Sequence, residues 1–196
     1  MKILMMTHDR SRLERALALA LSVGLSACGG GGESAGAAAA VVAPASSTSG
    51  STCGLSGFQT TVVARVNQYR AAGATCGSHG AFPAAPALTW NALLTQAAEG
   101  HSQDMVANNF FAHDSFDGRT FDQRITATGY NWTLVAENIA AGQTTIDQVM
   151  AGWMASEGHC VNIMNAAIAE IGVVCVSGSS SNTYPTYWTM DLGKSR

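Results

Sequence analysis

The sequence has little charge and no long apolar run. Only 12% of its 196 residues are charged, the formal net charge is −3, and no block of like charge occurs. Nucleic-acid binding needs a basic face, so the sequence predicts no nucleic-acid partner. The apolar run at residues 16–25 is shorter than the roughly 20 residues that a helix needs to span a bilayer.

Several common catalytic and nucleotide-binding motifs are also absent. There is no Walker loop, no GxGxxG turn after a strand and no HExxH zinc motif. The cysteines lack the close CxxC spacing of many structural zinc sites. These absences weaken the nucleotide-binding and zinc-protease interpretations, and they make a Cys-His metal site the less favoured use of the cysteines.

The N-terminus has the organisation of an exported protein. Three arginines precede the apolar run at 16–25, a pattern typical of a signal peptide. Residues 25–28, Leu-Ser-Ala-Cys, resemble the lipobox of bacterial lipoproteins, in which the cysteine is lipidated and becomes the first mature residue. We therefore predict a signal peptide over 1–27 and a lipid anchor on Cys28. Through this anchor the chain would have the membrane as its partner. Gly29 in place of Asp favours the outer membrane, and ordinary cleavage with secretion is the alternative.

A flexible tether and one domain follow. Residues 28–52 are rich in Gly, Ala and Ser and have nothing large to bury. The remaining residues, 53–196, are enough for one self-sufficient core. Removing 1–27 takes away four of the 10 basic and two of the 13 acidic residues, which leaves a net charge of about −5.

Four cysteines remain if Cys28 carries lipid: Cys53, Cys76, Cys160 and Cys175. An even number in an exported chain predicts disulfide bonds. Three connectivities are possible. We favour Cys53–Cys76 and Cys160–Cys175 because both would close local loops.

Apolar periodicity predicts helices first and strands later. Helices are predicted over about 56–72, 89–108, 120–128 and 144–158, with a short extended or irregular segment at 132–141 and strands at 169–176 and 184–192. This order favours an α+β domain with helices packed on a small sheet.

Ionisable side chains in apolar or glycine-rich surroundings are the candidates for chemistry: His101, His113, Glu137, Glu157 and His159. Glu137 lies in the apolar segment LVAENIAAG, where an unpaired carboxylate would cost several kcal/mol, so it predicts a partner elsewhere in the chain. If His113, Glu137 and His159 converge, they could hold zinc or another divalent metal, or form an acid–base cluster. His101 lies on a helical apolar stripe, which favours a core histidine over a site residue.

An ordered series of short motifs includes these residues: His101-Ser-x-Asp104-Met105, Phe111-x-His113, Gly118, Arg124, Gly129-Tyr130, Glu137-Asn138-Ile139-Ala140, Trp153-x-x-Ser156-x-Gly158-His159, Asn162-Ile163-Met164 and Ile171-Gly172-Val173. The series resembles the bacterial branch of the CAP superfamily, or SCP domain, which includes cysteine-rich secretory proteins, antigen 5 and plant pathogenesis-related 1 proteins. The resemblance covers essentially Val62 to Leu192.

The resemblance implies an α-β-α sandwich with a small antiparallel sheet between helical layers. It also implies a cleft lined by two His and two Glu, linked in the family to divalent metal binding. His113, Glu137 and His159 match three of these positions. Ser156 stands where the second Glu is expected, and Glu157 follows one place later, a rotation of about 100° on a helix. Glu157 therefore stays a candidate that could point away from the cleft.

Three functional hypotheses follow. The first is a surface-tethered binding module whose cleft takes a metal, a small apolar ligand or an envelope partner. The second is an extracytoplasmic hydrolase with Glu137 or His159 as general base and a metal or Ser156 taking part. The third is a purely structural role for the polar cluster.

Overall fold

The computed structural model describes residues 2–9 as backbone and residues 51–196 in full. Five α-helices, a short 3-10 helix (Gly77–His79) and seven strands form the regular structure of these residues. The helices are α1 (Phe58–Ala72), α2 (Ala92–Ala107), α3 (Phe121–Ala127), α4 (Ile146–Met154) and α5 (Glu157–Met164). The strands are β1 (Lys2–Asp9), β2 (Ala74–Thr75), β3 (Ala81–Phe82), β4 (Thr89–Trp90), β5 (Trp132–Ala141), β6 (Glu170–Ser177) and β7 (Thr186–Ser195).

A five-stranded sheet forms the middle of the domain. Its strand order is β1-β5-β7-β6-β4, and β2 pairs separately with β3. All neighbours in the larger sheet are antiparallel except β4 and β6, which are parallel. Helices α1, α4 and α5 pack on one face, and α2 and α3 pack on the other. The predicted α+β fold, an α-β-α sandwich, is confirmed.

Both faces of β5 and β7 are buried. Side chains of β5 alternate between Asn138, which faces α5, and Glu137, which faces α3. On β7, Met190 packs in the core on the α1, α4 and α5 face, whereas Thr189 bonds Ser102 of α2. Successive side chains of a strand point to opposite faces of the sheet, and here the polar ones lie between the sheet and a helix and not in solvent.

Two helices have boundaries that differ from the predicted ones, because of strand pairing and a turn in the chain. The helix predicted from residue 89 begins later because Thr89–Trp90 pairs with β6, and Asn91 then accepts hydrogen bonds from the N–H groups of Leu93 and Leu94. The single helix predicted over 144–158 is two helices, since the chain turns at Ala155 and restarts at Glu157. The segment at 132–141 is a strand of 10 residues, with a shift in its pairing with β7 between Trp132 and Leu134.

The predicted disulfide pairing was wrong. The bonds join Cys53 to Cys175 and Cys76 to Cys160, across 122 and 84 residues of sequence. Thr52 runs beside Cys175 as a parallel bridge, and the Cys53 N–H donates to the Cys175 carbonyl at 3.0 Å. The local-loop criterion failed because the sheet, and not sequence distance, decides which cysteines meet.

The folded unit starts before residue 53. Ser51 is buried and its hydroxyl contacts Glu99 of α2, so Ser51 and Thr52 belong to the domain and not to the predicted tether 28–52. Cys28 and the rest of the tether lie outside the described residues. Of the predicted signal peptide, only β1 is described, and it pairs with β5. Within the described ranges, no helix has the length and apolarity needed to cross a bilayer.

Arg70 fixes the end of α5, the helix that carries His159. This buried guanidinium donates to the carbonyls of Pro86 and Ile163, each at 2.6 Å, and to that of Ile168 at 3.2 Å. Burial lowers the pKa of Arg70 from its ordinary value. One charged side chain thus ties α1 both to the loop before β4 and to the segment that follows α5.

Candidate functional site

Glu137 is the centre of a buried ionic network. The carboxylate is 0% exposed. Its Oε1 accepts a hydrogen bond from His113 Nδ1 at 2.6 Å, and its Oε2 accepts one from Arg124 Nη2 at 2.5 Å. The sequence predicted a partner for Glu137, and that prediction is confirmed. The sequence predicts His113 as a neighbour of Glu137, whereas it places Arg124 only in the series of motifs and does not predict its contact with Glu137.

Glu137 is ionised despite its burial. Desolvation raises its pKa, but the hydrogen bond from His113 and the charge of Arg124 outweigh it, so the pKa lies below the ordinary value. A carboxylate can only accept, so His113 carries its proton on Nδ1. His113 Nε2 is also buried and has no hydrogen-bond partner among the described residues.

Arg124, in the last turn of α3, joins this network to the preceding loop. Its Nη1 donates to the carbonyl of His113 at 2.9 Å, to Ser115 Oγ at 3.1 Å and to the carbonyl of Arg119 at 3.1 Å. The guanidinium therefore holds both the side chain of Glu137 and the loop that carries His113. This is why the imidazole has one fixed orientation.

Asp191 is the site residue that sequence reasoning missed. It lies directly across the β5–β7 ladder from Glu137 and is fully buried. Burial and the neighbouring charge of Glu137 raise the pKa of Asp191 well above its ordinary value, which favours the protonated acid. An acidic residue between Met190 and Leu192 was the available signal. Apolar and more polar side chains alternate along β7, but helices cover both faces of the strand.

His101 is a core histidine, as its position on the apolar stripe predicted. It is buried on α2, and Nε2 donates to the carbonyl of Ala112 at 2.9 Å. Burial lowers its pKa, which favours the neutral ring. Its ring also meets Phe110 edge-on, with centroids 6.3 Å apart. His101 thereby supports the loop that carries His113.

His159 makes its described contacts on the other face of the sheet. Its Nδ1 bonds Ser156 Oγ at 2.7 Å, and its carbonyl accepts from Asn138 Nδ2 at 3.3 Å. Asn162 completes this connection by donating to Asn138 Oδ1 at 2.8 Å. The structure thus brings His113 and Glu137 into direct contact and pairs His159 with Ser156.

Glu157 does not join Glu137. Its exposed carboxylate accepts a hydrogen bond from Ser78 Oγ at 2.6 Å, and this bond lowers its pKa. Its side chain lies against Gly77, where no Cβ would fit. Glu157 follows Ser156 by one residue, and a rotation of about 100° turns it to the surface. The inclusion of Glu157 among the cleft candidates is corrected accordingly.

The observed donor set does not fit a resident metal. No group of three or more His, Cys, Asp or Glu within residues 51–196 is arranged to hold an ion. Both oxygens of Glu137 are engaged, and the guanidinium of Arg124 already neutralises its charge. Zinc at Glu137 would place two further positive charges beside the guanidinium that already pairs with this carboxylate.

Comparisons with known proteins identify relatives of this chain. The family model described as "Cysteine-rich secretory protein family", CAP, matches residues 63–192. Protein YkwD of Bacillus subtilis (strain 168) is 41% identical over 88 residues, which is 44% of this chain and 34% of YkwD. Membrane protein YlbC of the same strain is 31% identical over 86 residues, 44% of this chain and 25% of YlbC. The matched region is thus about a third and a quarter of the length of these two relatives.

Solved structures share the fold. An extracellular protein containing a SCP domain from Bacillus anthracis str. Ames aligns with a TM-score of 0.53 at 26% identity, over 70% of this chain and 41% of that chain. An outer surface protein from Borrelia burgdorferi aligns with a TM-score of 0.57 at 18% identity, over 70% of this chain and 92% of that chain. The second likeness concerns the fold alone.

Proposed function

The chain belongs to the cysteine-rich secretory protein (CAP) family, and from that premise we propose that it is an extracytoplasmic binding module and not an enzyme. The name of one structural relative, an extracellular protein that is 26% identical, supports a location outside the cytoplasm. The lipobox-like residues 25–28 support attachment to the outer membrane through Cys28, with secretion as the alternative.

The burial of Glu137 between His113 and Arg124 is the observation that carries this proposal. A general base needs a lone pair that the substrate can reach, and a metal ligand needs one that the ion can reach, whereas the carboxylate of Glu137 is fully buried. Glu137 gives one oxygen to His113 and the other to Arg124. The network therefore fixes the loop at His113. This role suits a preorganised binding surface better than it suits a site of proton transfer.

The same loop offers an apolar contact. Phe116 is 70% exposed, the one large hydrophobic side chain within residues 51–196 that is so open. Its ring lies 6.1 Å from that of Phe110, which packs beside His101. An exposed aromatic side chain on a rigid loop suits a small apolar ligand or an apolar part of an envelope component.

Co-sedimentation with envelope components tests the proposal. The full chain with Cys28→Ser, which lacks the lipidation site, would be mixed with purified peptidoglycan sacculi or with phospholipid vesicles. We expect binding to one of these probes, weakened at least tenfold by Phe116→Ala. His79→Ala, in an exposed turn, is the control. Failure of the Cys28→Ser chain to bind either probe, or full binding by the Phe116→Ala chain, would contradict a binding surface at this loop.

Hydrolysis is the second candidate, because Ser156 Oγ lies 2.7 Å from His159 Nδ1. The same incubations would be analysed for soluble fragments released from the sacculi. Release that disappears with Ser156→Ala in a folded protein would favour the hydrolase. Calorimetric titration with zinc, with and without His113→Ala plus His159→Ala, tests metal binding separately.

A further inference from the structure

A groove with small walls lies between α4 and the loop that follows β5. Its volume is about 600 Å³. Gln148, Ala151, Gly152 and Ala155 line one side, at the spacing of a single helical face, and Gly142 and Gln143 line the other. Alanine and glycine leave room along α4 for the backbone of another chain.

Gln143 is a buried amide without hydrogen bonds in its side chain. It is 3% exposed, and neither Oε1 nor Nε2 has a partner within the described residues. The backbone of Gln143 is fixed, because its carbonyl accepts from Thr186 Oγ1 at 2.7 Å and from Trp188 Nε1 at 2.8 Å. An unsatisfied buried polar group destabilises the folded state, and native proteins rarely leave both ends of an amide unpaired.

The outer edge of β5, which leads to this loop, accepts an extended chain. Strand β1 pairs antiparallel with it in continuous register, from Asp9 opposite Leu134 to Lys2 opposite Ala141. Residues 1–27 are the predicted signal peptide, so its removal would leave this edge open to another strand. A strand longer than β1 at its N-terminal end would continue past Ala141 alongside Gly142 and Gln143.

We propose that the β5 edge and the α4 groove form a binding site for an extended peptide. The peptide adds to the sheet by pairing its backbone with residues 134–141, and its next residues enter the groove. There the amide of Gln143 donates to one peptide carbonyl through Nε2 and accepts one peptide N–H through Oε1. A peptide group carries the donor and acceptor that the unpaired amide lacks. This site is separate from the loop at His113 and does not depend on the proposed function.

Two peptides that differ only in reach test the proposal by fluorescence anisotropy. One is residues 2–9, KILMMTHD, capped at both ends, and the other has two alanines added before the lysine. The receptor is the full chain with Met5→Pro and Met6→Pro, which cannot keep its own β1 paired because proline removes ladder donors. We expect both peptides to bind this receptor at least tenfold more tightly than they bind the unaltered chain, because β1 of the unaltered chain competes for the same edge.

Gln143→Ala in this receptor separates the groove from the sheet edge. We expect about a tenfold loss of affinity for the longer peptide and no change for the shorter one. Gln103→Ala, on the exposed face of α2, is the matched control. The proposal would be overturned if neither peptide bound, or if Gln143→Ala weakened the binding of both peptides equally. It would also be overturned if N-acetylglucosamine oligomers bound in a Gln143-dependent way and the peptides did not.

A second measurement covers the case in which the double-proline chain does not fold. A photoreactive group on the first residue of the longer peptide should label residues 142–155 of the unaltered chain when the peptide is in excess. Labelling confined to other segments would contradict the assigned groove.

Discussion

Individual neighbouring residues determine the pKa of each buried carboxyl group in this domain. Arg124 neutralises Glu137 and His113 donates a hydrogen bond to it, whereas burial and the charge of Glu137 raise the pKa of Asp191 beside it. One carboxylate is stabilised by a cation and the other is not, so the two acids respond to substitution and to pH in opposite ways.

Glu137→Gln should destabilise the protein by about 3 kcal/mol, because it leaves the guanidinium of Arg124 buried without its counter-charge. Urea unfolding at pH 7 would measure the change. Glu157→Gln is the matched control, since Glu157 is exposed, and it should alter the free energy of unfolding by less than about 0.5 kcal/mol. Similar effects of the two substitutions would mean that the ion pair does not contribute as argued.

Asp191→Asn should stabilise the protein at pH 7. The folded-state pKa of Asp191 is raised above its ordinary value of 3.8, so ionisation in the unfolded state costs the folded state stability as pH rises from about that value toward the folded pKa. Asparagine removes this loss. The gain should vanish near pH 3, where the acid is protonated in both states. Urea unfolding between pH 3 and pH 8 checks this, and a pH-independent difference would be inconsistent with a buried neutral acid.

At the scale of elements, cross-links fix where helices sit on the sheet. The bond from Cys76 to Cys160 attaches α5 to the turn that also carries Ser78, the partner of Glu157. The bond from Cys53 to Cys175 attaches the start of the domain to β6. Both follow from which elements are neighbours, and this information is absent from the spacing of the cysteines.

Replacing Cys76 and Cys160 together by serine should lower the free energy of unfolding by about 4 kcal/mol, because the bond closes a loop of more than 80 residues in the unfolded chain. Urea unfolding would measure the loss. Non-reducing peptide mapping of the same protein should still find Cys53 joined to Cys175. A peptide that links Cys53 to Cys76 in the unaltered protein would contradict the observed pairing.

At the scale of the whole molecule, the two helical layers bury the sheet on both faces. This explains why the alternation of side chains on β7 does not separate a core side from a solvent side. Thr189 and Asp191 are buried under α2 as completely as Trp188 and Met190 are on the other side. A mature domain without residues 1–27 would keep these layers while exposing the outer edge of β5.

Local information in the chain was enough for the α+β class, the positions of most helices and strands, the family resemblance and the need of Glu137 for a partner. Periodicity, caps and motifs contain that information because they depend on neighbours in sequence. The packing of helices on the sheet was needed to show that Arg124 and Asp191 surround Glu137, that Glu157 faces solvent and which cysteines join. These contacts link residues that are far apart in sequence or on different faces of an element, and only packing brings them together.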